Sequence, residues 1–229
     1  MKEPVFFSFY LHMDDEYRTL DGPSQGIYRE KGSRFMAFGF PLRNEEEVRE
    51  IMGKLRREYH DARHYCYAYR IRTGEENVRY NDDGEPAGTG GRPIFQALQA
   101  AEVHDVLVVV VRYFGGILLG RNRLANAYRS AASDMFSHAD IRTCYRQRSF
   151  RLQFPYGHIH DAMSILKEES ISPVRPQYDN TCTMFVSIRE SKTERVLRRL
   201  GALEGFDASA ADDLMQENED VKPNHDDEE

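Results

Sequence analysis

Three groups of residues in this chain are of types that do chemistry. His60, His64 and Cys66 bring the nitrogen and sulfur donors that hold zinc. Asp82, Asp83 and Glu85 lie close enough together to act as paired carboxylates, or to hold magnesium for a phosphorylated ligand. The third group is two glycine-rich turns, Asp82-Asp83-Gly84-Glu85-Pro86-Ala87-Gly88-Thr89-Gly90-Gly91 and Arg112-Tyr113-Phe114-Gly115-Gly116-Ile117-Leu118-Leu119-Gly120. The first group lacks the second Cys/His pair that a structural zinc site brings, and His64 and Cys66 fall on one face of one strand. In the second group, Asp favours turns, Gly84 supplies an unusual φ, and Arg112 leaves a buried strand nearby. Asp82, Asp83 and Glu85 are therefore read as a structural acidic turn paired with Arg112. No serine or cysteine sits in a nucleophile elbow. No catalytic residue, metal or cofactor is assigned.

The glycines remain, and glycine concentrated at the ends of elements signals positive φ or close approach of another group. Between the two turns the sequence predicts a helix and a strand. Pro93 suits a first helical turn, and Ile94, Leu98 and Ala101 recur on one face. Val106 to Val111 is an unbroken run of mostly β-branched residues, the pattern of a central strand buried on both faces. Gly88, Thr89, Gly90 and Gly91 would then aim free backbone N–H groups above the helix, with Arg92 beside them, a setting that attracts phosphate or carboxylate. The same glycines also suit a tight strand-to-helix connection, and both readings stand at this point.

The surrounding elements follow from similar signals. Ile27 to Leu42 reads as a hairpin turning at Lys31-Gly32-Ser33. Asn44 caps a helix whose Glu45, Glu46 and Glu47 favour its positive end. His64 to Ile71 and Val78 to Tyr80 read as strands, Leu124 to His138 as a helix, and Ile141 as the start of a strand. From Phe150 the periodicity restarts in the order β-α-β-β-α, with Glu204 to Ala211 as a weak closing strand.

Charge is unevenly spread. The segment from Glu204 to Glu229 holds eleven acidic residues and one lysine, so the overall −7 arises in the tail, and the other 203 residues carry 30 basic and 27 acidic groups. Such a tail is expected to be solvated and disordered. Between Arg112 and Arg148 stand seven arginines (Arg112, Arg121, Arg123, Arg129, Arg142, Arg146, Arg148), opposed only by Asp134 and Asp140. Arginine binds phosphate bidentately and stacks on bases, so this cluster beside Tyr113, Phe114, Tyr128 and Tyr145 suits RNA. Three well-separated cysteines, Cys66, Cys144 and Cys182, argue for a reducing compartment. No apolar run reaches the length of a membrane span, so a cytoplasmic location without membrane contact is expected.

The segment Asp82 to Gly91, followed by Val108 to Gly120 and preceded by Ala62-Arg63-His64-Tyr65-Cys66-Tyr67-Ala68, closely resembles the YigZ/IMPACT family over roughly Tyr17 to Leu203. The resemblance implies an α+β protein of two domains. The first resembles an α/β fold found in a small-subunit ribosomal protein and in domain IV of elongation factor G, and the second is ferredoxin-like. The expected divisions are an N-terminal extension over 1–16, the first domain over 17–145, the second over 146–211 and the acidic tail over 212–229. Met13, followed by Asp14-Asp15-Glu16, stands beside Met1 as a candidate start. Many family members carry a further glycine pair where this chain has Asn122 and Arg123, so Arg123 supplies charge at that position.

Eukaryotic members of the family regulate translation. By resemblance this chain is expected to be a non-enzymatic protein that binds RNA, the ribosome or a ribosome-associated protein. The expected phosphate- or nucleic-acid-binding residues are Gly88, Thr89, Gly90, Gly91, Arg92, Arg112, Tyr113, Phe114, Gly115, Gly116, Gly120, Arg121 and Arg123. Two alternatives use the same surface: an enzyme or sensor for a nucleotide or other phosphorylated small molecule, and a pure protein-interaction module.

Overall fold

A computed structural model describes residues 15–73 and 75–211; the acidic tail and most of the N-terminal extension lie outside them. The protein is a mixed α/β protein whose chain divides into two compact units. One spans Tyr17–Cys144, and the other takes residues 145–211 together with Asp15 and Glu16.

The first unit is built on a five-stranded antiparallel sheet. Its strands are β2 (Ser24–Glu30), β3 (Ser33–Pro41), β4 (His64–Thr73), β5 (Glu75–Asn81) and β6 (Val106–Tyr113), in the order β2-β3-β6-β4-β5. A separate two-stranded sheet pairs β1 (Glu16–Leu20) with β7 (Ile141–Tyr145). The β-branched run predicted as central is the third of the five strands, and Val106 through Val111 have no exposed surface.

Alternation along β6 divides its side chains between two cores. Val106, Val108 and Val110 pack with Phe35, Ala37 and Cys66 against α2 (Gly91–Ala100) and α3 (Arg121–Ser137). Leu107, Val109 and Val111 pack with Phe38, Tyr65 and Tyr69 under α1 (Glu46–Glu58). Helices cover both faces, which is why this strand lacks polar alternation. Asn44 Oδ1 accepts from the Glu47 N–H at 3.1 Å, giving α1 the predicted cap.

Helix α3 begins at Arg121, three residues before the predicted start. Gly120, at φ 75°, turns the chain into it, so Arg121 and Arg123 lie in the first helical turn rather than in a preceding loop. Short alanines at 127, 131 and 132 are fully buried where α3 meets the sheet and α2.

In the second unit, β8 (Gln147–Pro155), β9 (Val174–Tyr178), β10 (Thr181–Arg189) and β11 (Asp207–Ala210) form an antiparallel sheet in the order β11-β8-β10-β9. The connecting helices are α4 (Ile159–Glu168) and α5 (Glu190–Leu200). The inward residues Phe150, Leu152, Phe154, Met184, Val186 and Ile188 meet Leu166, Val196 and Leu200 in one apolar core. The weak C-terminal strand exists but is short, pairing Asp207 to Ala210 with Gln153 to Phe150. Among the described residues, no helix is long and apolar enough to cross a membrane.

Candidate functional site

The Asp82–Gly91 turn carries the chain from β5 into α2, and its geometry is dominated by Asp82. One carboxylate oxygen, Oδ1, accepts from the Gly90 and Gly91 N–H groups at 2.8 and 2.9 Å, while Oδ2 accepts from Gly88 N–H at 2.8 Å. The Thr89 N–H donates to the Pro86 carbonyl at 3.0 Å, and its hydroxyl donates to the same oxygen at 2.6 Å. All four N–H groups expected to face a ligand are thus engaged inside the chain. Asp82 takes the position that an external anion would occupy at the start of α2.

Thr89, Gly90 and Gly91 are buried, while Gly88 before them and Arg92 after them are exposed. Gly90 and Gly91 owe their identity to the protein's own packing. A Cβ at Gly90 would come within 2.5 Å of Cys66 Sγ, and one at Gly91 within 2.5 Å of the Asn81 backbone. Cys66, in turn, donates to the Asp82 carbonyl at 2.9 Å, and burial raises its thiol pKa.

The rest of the acidic turn is equally occupied. Asp83 accepts from Tyr65 N–H at 2.8 Å and pairs with Arg56 at 3.0 Å. Glu85 pairs with Arg112 at 2.5 Å, with only 4% and 7% of the two side chains exposed, and also accepts from Tyr128 at 2.7 Å. Arg112 lies near the rings of Phe35 and Phe114 as well. Arg112 is therefore an internal cation at the end of β6 and contributes no charge to an exposed contact surface. Tyr128 is fully buried on α3, so it offers no stacking face. His64 Nδ1 lies 2.9 Å from the Asp83 carbonyl, which places it in the same internal network. Among the described residues, no three His, Cys, Asp or Glu side chains gather as a metal site.

The second glycine turn has the opposite character. From Phe114 to Leu118 the chain is exposed, with Phe114 at 48%, Ile117 at 53% and Leu118 at 86%. Gly116 and Gly120 take left-handed φ with open space where a side chain would sit. Gly115 differs: a Cβ there would lie 2.0 Å from the Gly32 backbone, and its N–H donates to Ser33 Oγ at 3.1 Å. The tip of the β2–β3 hairpin is thereby packed against this loop. The Lys31-Gly32 turn was legible in the sequence, but its contact with Gly115 was not. Tyr113 donates to Asp61 at 2.7 Å, and desolvation together with that bond pushes its pKa up to about 12.

Helix α3 opens directly from this loop. No side chain caps it and no acidic residue lies in its first turn, while Arg121 and Arg123 are exposed there. Arg121 also donates to the Ala87 carbonyl at 2.7 Å, tying the two glycine turns together. The arginine cluster read from the sequence does not persist as one group. Arg129 bonds to Gln96, Arg142 lies 3.5 Å from Asp21, and Arg146 and Arg148 belong to the second unit. Tyr145 also belongs to that unit, where Arg189 stacks on its ring.

A layered sheet under paired helices, with two glycine turns at one end of its central strand, defines a class of two-unit α/β proteins. A solved structure described only as that of a hypothetical protein shares this fold at TM-score 0.65 and 24% identity, over 88% of this chain and all of the other. The Impact N-terminal domain matches residues 31–136. The IMPACT family member YvyE of Bacillus subtilis strain 168 is 37% identical over 161 residues, covering 70% of this chain and 74% of the relative. An IMPACT family member of Thermus thermophilus is 39% identical over 131 residues, covering 56% and 70% respectively. The chain belongs to the IMPACT family.

Proposed function

We propose that this protein acts without catalysis in or near translation, binding RNA or the ribosome through the exposed end of its first unit. Family membership supports the translational setting, through the eukaryotic members that regulate translation. The observation that carries the RNA contact is the N-terminus of α3. Cations at the positive end of a helix are electrostatically unfavourable. Yet Arg121 and Arg123 lie in an uncapped first turn with no acid among them. A phosphate bound there offsets both the helix dipole and the arginine charges.

The proposed surface comprises Arg92, Arg121 and Arg123 with Tyr113, Phe114, Gly115, Gly116 and Gly120. Phe114 supplies an exposed ring for stacking. Gly88 to Gly91 support this surface from below, since Asp82 already engages their donors. That engagement favours a macromolecular contact over a nucleotide cradled in the turn. A protein partner is the second reading, favoured by the 86% exposure of Leu118. We further propose that residues 17–145 form an elongation-factor-G-domain-IV-like domain and 146–211 a ferredoxin-like one, followed by an acidic tail over 212–229.

Binding of single-stranded RNA and of whole ribosomes, measured across a salt series, tests this reading. RNA contact predicts affinity falling steeply with salt, by about one unit of log–log slope per phosphate engaged. Salt-insensitive ribosome binding with no RNA binding would replace RNA with a protein partner.

A further inference from the structure

The β2–β3 hairpin tip holds a cluster of cations that neither the fold nor the surface above requires. Strand register places Arg29 directly opposite Arg34, and Arg34 directly opposite Tyr113 on β6. Like charges facing each other across an antiparallel pair are destabilising, and sheets usually place an opposite charge or an apolar pair there. Lys31 adds a third cation at the turn itself. The three border a concavity of about 380 Å³ lined by Arg29, Lys31, Gly32, Ser33, Arg34 and Tyr113, with Glu30 also on its wall.

Among the described residues, these three cations face two acids, Glu30 and Asp61, and keep a net positive charge. Among the described residues, neither Arg29 nor Lys31 forms a side-chain ion pair or hydrogen bond. Glu30 accepts from the Tyr28 hydroxyl at 3.2 Å and lies on the wall of the concavity, and among the described residues it forms no ion pair with Arg29, Lys31 or Arg34. Asp61 accepts from the Tyr113 hydroxyl, and that bond, with a smaller contribution from Arg34, lowers its pKa, so it offsets part of the Arg34 charge. Arg34 has its guanidinium carbon 4.5 Å from the centre of the Tyr113 ring. Stacking of that kind fixes the guanidinium plane while leaving its in-plane N–H donors open to a bidentate acceptor. The wall is held in place by backbone packing of Gly32 on Gly115 and by the Ser33–Gly115 bond.

We propose that this hairpin tip is a phosphate-binding site, adjoining the α3 surface at Tyr113 and Gly115 but built from different cations, in which Arg29 and Arg34 grip one phosphate from two strands and Lys31 adds charge. Free phosphate compounds and the phosphodiesters of RNA present the same chemistry, so two probes separate the sources. Amide chemical shifts of the full chain are followed during titration with inorganic pyrophosphate, and separately with a ten-nucleotide RNA bearing hydroxyl ends. Movement of Lys31, Gly32 and Ser33 with pyrophosphate supports a site for free phosphates. Movement with the RNA alone supports backbone recognition.

Arg29→Thr supplies the second arm. Its melting temperature without ligand should rise, because the opposed charges are relieved, while probe affinity falls at least tenfold. The Arg121→Glu/Arg123→Glu variant should leave the hairpin shifts intact even if it abolishes RNA binding elsewhere. No movement at the hairpin with either probe overturns the proposal, as does an Arg29→Thr variant that binds like the parent.

Discussion

The two glycine-rich turns share a sequence signature and lie at one end of the same sheet, yet they use glycine for different reasons. In the Asp82–Gly91 turn, glycine admits neighbours belonging to the protein: Cys66 against Gly90, and the Asn81 backbone against Gly91. Its amides converge on Asp82, and its remaining acids hold Arg56 and Arg112. In the Phe114–Gly120 turn, Gly116 and Gly120 face open space, and three apolar side chains stand in solvent. The first turn is a structural joint and the second a surface. A glycine motif therefore marks where a backbone is unusual, and only the packing around it says whether the reason is internal or external.

That contrast can be broken experimentally, most severely at Glu85. Glu85→Ala leaves Arg112 buried without a counter-charge and should destabilise the protein by about 4 kcal/mol, read by urea unfolding. A loss under 1 kcal/mol would mean that the first turn is not the joint described. Asp82→Ala orphans three amides and should cost about 3 kcal/mol. Added phosphate should recover part of that loss in Asp82→Ala but stabilise the parent less, because the substitution vacates an anion position at a helix start.

Within the second turn, Gly115→Ala should cost about 2 kcal/mol from collision with Gly32, whereas Leu118→Ser should stay within about 0.5 kcal/mol. Equal effects at the two positions would erase the distinction between the packed and open parts of that loop. No loss of stability is expected for Arg121→Glu with Arg123→Glu. Acids in the first turn of α3 complement its dipole, so stability should hold or rise by up to about 1 kcal/mol. RNA affinity should fall at least tenfold, with the salt slope reduced by about 2.

The elements of the first unit were largely legible because their signals are local. The run from Val106 to Val111, Pro93 at a helix start, Asn44 three residues before Glu47, and the Lys31-Gly32 turn each specify structure through their own chemistry. The pairing of Glu85 with Arg112 was also within reach, since a charge leaving a buried strand beside an acidic turn has few other partners. Asp82 as the acceptor for its own turn was not, because a carboxylate within the chain and a bound phosphate place the same demands on glycine. Contacts distant in sequence were also hidden. The Gly32–Gly115 packing and the Tyr128–Glu85 bond depend on how strands and helices far apart in the chain are brought together. The start of α3 was missed because Arg-Asn-Arg after Gly120 lacks both a capping side chain and an apolar face.

The Asp82 carboxylate is tethered to the amides it satisfies by fewer than ten residues of ordered chain. Tethering presents an acceptor at an effective concentration of millimolar or more, far above that of most competing solutes once geometry is fixed. The joint thus keeps its own carboxylate in place against dilute competing anions. A phosphorylated molecule meeting this protein finds one helix entrance already taken and another, at Gly120, open.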